Sequence, residues 1–131
     1  MKGRVLIEGE AAGPLLRLAA PLSFWGGVDP ETGRITDASH PQCGMAIGGT
    51  VLALPATRGS SSSSSIMLEL LSRGIAPAAL ILGEADAILT LGVVVGKEMG
   101  YGAIPVIELA AEAQRALPSG MVSVARDGVI S

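Results

Sequence analysis

Aromatic side chains are almost missing from this sequence, which has one Trp, one Tyr and one Phe among 131 residues. With 49% hydrophobic residues, the core must be built from Ala, Val, Ile and Leu, and 18 glycines supply turns and close contacts. Cysteine is as scarce. Cys43 stands alone, which excludes an internal disulfide and leaves the chain unable to supply by itself the several thiolates that usually hold an iron–sulfur cluster. Clusters of Lys and Arg are also lacking, and a net charge of −3 with a pI near 5.0 argues against a nucleic-acid partner. No apolar run approaches the ~20 residues a membrane span needs, because Gly, Pro or a charge interrupts each one. Met1-Lys2-Gly3-Arg4 leads into a short alternating segment rather than a targeting leader. The expectation is a cytoplasmic protein that meets neither membrane nor nucleic acid. Its length suits one domain over residues 1–131, enough to bury roughly two-thirds of the surface its unfolded chain exposes.

What is present reads as an α/β rhythm. Residues 4–9 and 15–19 are expected strands, separated by a Gly13-Pro14 turn, and a short extended piece runs from Pro21 to Trp25. Residues 26–49 show little periodicity and contain a strong turn at Asp29-Pro30-Glu31-Thr32-Gly33; loops of this length usually carry function. Thr50-Val51-Leu52-Ala53-Leu54-Pro55 predicts a strand, and the apolar period of residues 66–71, stopped by Gly74, predicts a helix. A buried strand at residues 78–82, a helix over about 86–99, a strand at 105–109, a short helix at 110–116 and a hairpin-like end at 121–128 complete the order.

The most informative stretch joins the central strand to the first helix: Pro55-Ala56-Thr57-Arg58-Gly59-Ser60, followed by five more serines. A serine run is often a flexible linker, but this one lies between an apolar strand and an apolar helix in a chain too short for two cores. Serine is a preferred helix N-cap. A helix start rich in small hydroxyls, with free N–H groups and about half a positive charge from the dipole, suits a carboxylate or phosphate, and Arg58 adds a fork of donors. The same field stabilises an alkoxide, so a serine here can exchange protons with substrate. Two rival readings stand beside this: a non-catalytic anion-binding module, and a Ser–His hydrolase with His40 as its sole possible histidine and no Gly-x-Ser-x-Gly elbow around Ser60.

Other motifs fall short. Gly92-Val93-Val94-Val95-Gly96-Lys97-Glu98 is one spacer short of a Walker loop and lacks the following Ser or Thr, and Gly100-Tyr101-Gly102 lacks the third glycine of a dinucleotide fingerprint. Both read as packing and helix-end glycines. His40 and Cys43 have an H-x-x-C spacing, but two ligands do not make a metal site, and a loop histidine with a buried or interface thiol is the plainer reading. Asp29 and Asp37 read as turn and solvent residues. The aliphatic, glycine-rich residues 93–101 are a candidate surface for a partner.

The ordered set Gly26-Gly27-Val28-Asp29-Pro30-Glu31-Thr32-Gly33, His40-Pro41, Gly48-Gly49-Thr50-Val51-Leu52, Pro55, Arg58-Gly59-Ser60 and Ser64 resembles the small subunit of the aconitase X family over nearly the whole chain. The resemblance implies a single swivelling β/β/α domain, with a mixed β-sheet or barrel-like core and flanking helices. It implies a large catalytic subunit as partner, with an iron or iron–sulfur centre on that subunit and none on this chain. The pair would remove water from a small hydroxy acid. Ser60 matches the reactive serine, which by analogy with aconitase takes the proton beside the substrate carboxylate. Arg58, Gly59, Ser61, Ser64 and His40 are the expected substrate contacts, and Ser61 or Ser64 is the alternative base. Archaeal members resemble phosphomevalonate dehydratases and have lysine where this chain has Arg58. The unbroken serine run and His40-Pro41-Gln42-Cys43-Gly44 look more like bacterial members, which dehydrate cis-3-hydroxy-L-proline.

Overall fold

A computed structural model describes residues 1–59 and 61–131; Ser60 lies outside the described residues. Its centre is a mixed sheet whose middle strands are buried on both faces. Val51–Leu54 (here β4) and Ala79–Leu82 (β6) are buried along their whole length. They pair in parallel with each other, and β6 pairs in parallel with Val106–Glu108 (β7). Continuous apolar runs of this kind belong to parallel strands covered on both sides. The period of two then divides the core. Leu52, Leu54, Leu80 and Leu82 face one cluster, completed by the helices, while Val51, Ala53, Ala79 and Ile81 face a second with Ile107, Leu117, Val122, Val124 and Ile130.

Arg4–Ile7 (β1) adds antiparallel to β7, and Ala11–Arg17 (β2) runs parallel to β4, giving the order β1-β7-β6-β4-β2-β8, with Met121–Val124 as β8. The expected Gly13-Pro14 turn does not form, because both residues lie inside β2. That strand changes partner partway: residues 11–14 pair with β8 and residues 15–17 with β4. Pro14, which has no N–H to give, sits where one pairing ends and the other begins. The tail folds back after Gly128, pairing Val124 with Ile130, and Val129 in turn pairs with Lys2 ahead of β1. These bridges link the two edges of the sheet and give the core its barrel-like character.

Ser63–Arg73 (α2) and Ala87–Glu98 (α3) cover the helical face. Ile66, Met67, Leu70 and Leu71 form the buried stripe of α2, and Gly74 ends it in the left-handed region at φ 72°, its N–H reaching the last carbonyls. Asp86 caps α3, its carboxylate accepting from the N–H groups of Ile88 (2.9 Å) and Leu89 (3.1 Å). Gly92 and Gly96 let the two helices meet closely: a Cβ on Gly92 would lie 2.7 Å from the Ser64 carbonyl oxygen, and one on Gly96 would lie 2.6 Å from Leu71 Cδ1. Gly100 follows α3 at φ 79°, with the Tyr101 N–H returning to Gly96 O at 2.9 Å. Neither glycine motif is a nucleotide loop. The extended piece expected over residues 21–25 shortens to Leu22–Ser23 (β3), followed at Phe24–Gly27 (α1) by a tight irregular turn in which Trp25 and Gly26 leave helical backbone angles. Thr57–Arg58 (β5) pairs in parallel with β3 as a separate small sheet.

Candidate functional site at the start of helix α2

Strands β2, β4, β6 and β7 all deliver their carboxyl ends to one edge of the molecule, the edge where α/β sheets commonly bind ligands. Four segments gather there: the chain after β2, the turn from β4 through β5 into α2, the connection from β6 to α3, and Ala111–Gln114 (α4) after β7. Gln114 locks this end. Its buried side-chain amide donates to Leu54 O and Leu109 O, each at 3.0 Å.

The serine run lies at this edge, and α2 begins inside it. Ser62 takes the N-cap position with backbone at φ −74°, ψ −12°, and its side chain does not cap the helix. The Ser64 hydroxyl donates to Ser61 O at 3.0 Å, so its proton is spent on the first turn. Ser61 is exposed, and Ser63, which the sequence reading did not single out, is buried. Gly59 is wedged at the join. Its φ is 155°, and a Cβ there would stand 2.7 Å from Ser63 Oγ and 3.5 Å from Ser23 Oγ, so glycine answers both the backbone and the space. Arg58 is exposed and has no ion-pair partner among the described residues. A free guanidinium beside a helix start is suited to a carboxylate or phosphate. Thr57, Gly59, Glu84, Ala85, Asp86, Ala87 and Ile88 line a cleft of about 320 Å³ beside this join.

Residues 26–49 fold as a built loop. Val28, Ile35 and Ile47 anchor it in the core. Gly33 N–H donates to Asp29 O at 2.7 Å and Glu31 N–H to the Asp29 carboxylate at 2.9 Å, which closes the expected turn. His40 is buried, and both ring nitrogens serve the loop: Nδ1 accepts from Gln42 N–H at 3.0 Å, which leaves Nε2 protonated to donate to Ala20 O at 3.1 Å. Neither nitrogen is left to act as the base of a serine hydrolase. Direct contact of the ring with a substrate requires one of these bonds to be given up. Asp37 accepts from the Ser39 hydroxyl and the Ser39 backbone N–H, bonds that hold its carboxyl below the usual carboxylate range, with His40 contributing less. Cys43 is exposed, which rules out the buried half of the expected buried or interface thiol. Among the described residues no three His, Cys, Asp or Glu side chains are placed to share a metal ion. No described helix is long and apolar enough to cross a membrane.

The family model of the aconitase X swivel domain matches residues 1–131. The chain belongs to the aconitase X swivel-domain family. A crystal structure of holo-form aconitase X from Thermococcus kodakaraensis superposes with a TM-score of 0.84 at 35% identity, covering 98% of this chain and 93% of that one. The chain is 42% identical over 131 aligned positions to a cis-3-hydroxy-L-proline dehydratase of Pseudomonas aeruginosa, covering 95% of this chain and 23% of that protein. It is 44% identical over 95 positions to the phosphomevalonate dehydratase small subunit of Thermococcus onnurineus, covering 72% of this chain and 73% of that one. The chain spans about a fifth of the length of the curated cis-3-hydroxy-L-proline dehydratases it matches.

Within this swivel domain, Arg58, Gly59, Ser61 and Ser64 come together at the β5–α2 join, while His40 sits in the loop packed against residues after β2. Glu84 and Asp86 were missed as neighbours of the join. The signal for Asp86 was an acidic residue directly ahead of an apolar helix, but nothing local ties it to Thr57. Residues 93–101 divide by face: Val93 and Gly96 pack inward, whereas Val94, Met99 and Tyr101 are exposed.

Proposed function

We propose that this swivel domain is the mobile part of a hydro-lyase that dehydrates a small hydroxy acid, with cis-3-hydroxy-L-proline as the first substrate to test. The observation that carries this reading is Arg58 and Gly59 standing exposed directly ahead of the serine-led helix, at the carboxyl edge of the sheet. In the proposed mechanism Arg58 pairs with the substrate carboxylate, and Gly59, Ser61 and Ser64 surround it at the helix start, where the dipole favours negative charge. Ser60 takes the proton from the carbon beside that carboxylate, its alkoxide form favoured by the same field. The electron pair of the broken C–H bond becomes the new C=C bond as the C–O bond breaks; the departing hydroxide takes up the proton that Ser60 removed, which forms water and returns the serine to its alkoxide form.

The described residues do not form a metal site, so no step is assigned to a metal on this chain. The proposal gives an iron or iron–sulfur centre to the large catalytic subunit or domain that completes the site. A small domain carrying the base can open to admit substrate and close to exclude water. Phosphomevalonate is the second candidate, favoured by the likeness to small subunits of phosphomevalonate dehydratases.

The test is dehydration of both compounds by this chain alone and together with its large partner. Turnover only in the pair supports the reading and names the substrate. Turnover by this chain alone contradicts it, as does carboxylate binding without turnover in the pair.

A further inference from the structure

The cleft beside the α2 start has two walls that come from distant parts of the chain. One is β5 with Gly59, and the other is the β6–α3 connection with the first residues of α3. Among the described residues a polar side-chain contact ties them: the Thr57 hydroxyl donates to Asp86 Oδ2. The other carboxylate oxygen of Asp86 accepts from Ile88 and Leu89 N–H groups, so the residue is fixed to the helix start before it reaches across to Thr57. On its opposite side β5 is held by β3, where Leu22 pairs with Thr57 and Ser23 with Arg58.

We propose that the Thr57–Asp86 hydrogen bond sets the placement of Arg58 and Gly59, making Thr57 and Asp86 positioning residues for the serine-led site. The inference rests on the reading above in one respect, that this site turns substrate over. β5 is only two residues long and its pairing with β3 fixes one edge. Without Asp86 the segment keeps that edge and loses its anchor toward α3. The next residue, Gly59, is already confined between Ser23 and Ser63, so a shift of β5 is passed along the chain toward the start of α2. A small misplacement of groups near the chemistry lowers the chemical step far more than binding. The carboxylate makes this a charge-assisted bond, stronger than one between neutral groups.

The experiment compares Thr57→Val, which keeps shape and removes the hydroxyl, with Thr57→Ser, which keeps it, both in the assembled enzyme. Asp86 retains its cap on α3 in either variant, so the fold is expected to survive with little change in melting temperature. Thr57→Val is expected to lower kcat by roughly tenfold or more, with KM changed by less than about threefold, and Thr57→Ser to restore most of kcat. Backbone hydrogen exchange at residues 58–59 is expected to speed up by about tenfold in Thr57→Val and not in Thr57→Ser. Unchanged exchange in Thr57→Val overturns the proposal, and so does an unchanged kcat in an enzyme that turns over. Absence of turnover in the unmodified enzyme defeats the functional reading instead, and the exchange comparison then decides alone whether the hydrogen bond positions the segment.

Discussion

Replacing Gly92 with alanine probes the contact that sets helix α2, and with it the serine-led site, against α3. A Cβ at this position would lie 2.7 Å from the Ser64 carbonyl oxygen, 3.0 Å from Ser64 Cα and 3.3 Å from Met67 Cβ. Two of these atoms are backbone, so no side chain can rotate away, and α2 must retreat by roughly half an ångström or more to recover ordinary contact. Overpacking of this kind costs about 1–3 kcal/mol. Against it stands the gain from removing glycine inside a helix, about 1 kcal/mol. The net expectation for Gly92→Ala is a loss of up to about 2 kcal/mol, read as a lower urea midpoint at unchanged slope. Gly96→Ala is the control. The atom it meets is Leu71 Cδ1 at 2.6 Å, the end of a side chain that can turn, so propensity and crowding should roughly cancel. In the assembled enzyme Gly92→Ala should also lower turnover, because the backbone it displaces is that of Ser64. Greater stability in Gly92→Ala than in wild type, or a larger loss in Gly96→Ala than in Gly92→Ala, would refute the packing argument.

Arg58→Ala is expected to raise KM far more than it lowers kcat, by roughly 30-fold for a lost charge-assisted contact of about 2 kcal/mol; steady-state kinetics with unchanged KM would remove Arg58 from the site. Gln114→Leu removes the buried side-chain donor to the Leu109 carbonyl and one of two donors to Leu54 O, which keeps the Gly83 N–H at 2.9 Å; it should lower stability by about 2 kcal/mol in chemical denaturation, whereas a loss under about 0.5 kcal/mol would show that Leu109 O finds another donor. Glu108 is held below its ordinary value of 4.5, first by the hydrogen bond from Arg4 and then by the Ala85 N–H. A carboxylate depressed on folding contributes stability above its unfolded value and loses it as pH falls through the folded one. Glu108→Gln should therefore melt below wild type at neutral pH, with the difference closing under acid conditions below the ordinary glutamate value; a pH-independent difference in melting would contradict this.

The parallel centre was legible because Val51-Leu52-Ala53-Leu54 and Ala79-Leu80-Ile81-Leu82 are buried on both faces and read as unbroken apolar runs. Gly74 marked the end of α2 and Asp86 the start of α3, since both act through their own backbone neighbourhood. Strand β2 was not legible. Gly13-Pro14 has the composition of a turn, and only the change of partner from β8 to β4 explains its place in a strand. The bridges between Val129 and Lys2 join residues from opposite ends of the sequence, a pairing no local pattern records. The serine run correctly marked a helix start, and Arg58 and Gly59 drew attention because they adjoin it. The Thr57–Asp86 contact spans residues 29 apart and exists only because β4 and β6 run in parallel, bringing the segments after them to the same edge. His40 was visible as the sole histidine, yet its two backbone bonds depend on how Ala20 and the 40–42 turn meet.

The central claim is that a serine of this domain carries the proton transfer in a site completed by a larger partner. It is tested most directly by turnover of the assembled enzyme with Ser60→Ala, beside Ser61→Ala and Ser64→Ala. A fall of several orders of magnitude in kcat for Ser60→Ala alone, with assembly intact, is the predicted result; near-normal turnover in Ser60→Ala would contradict the assignment.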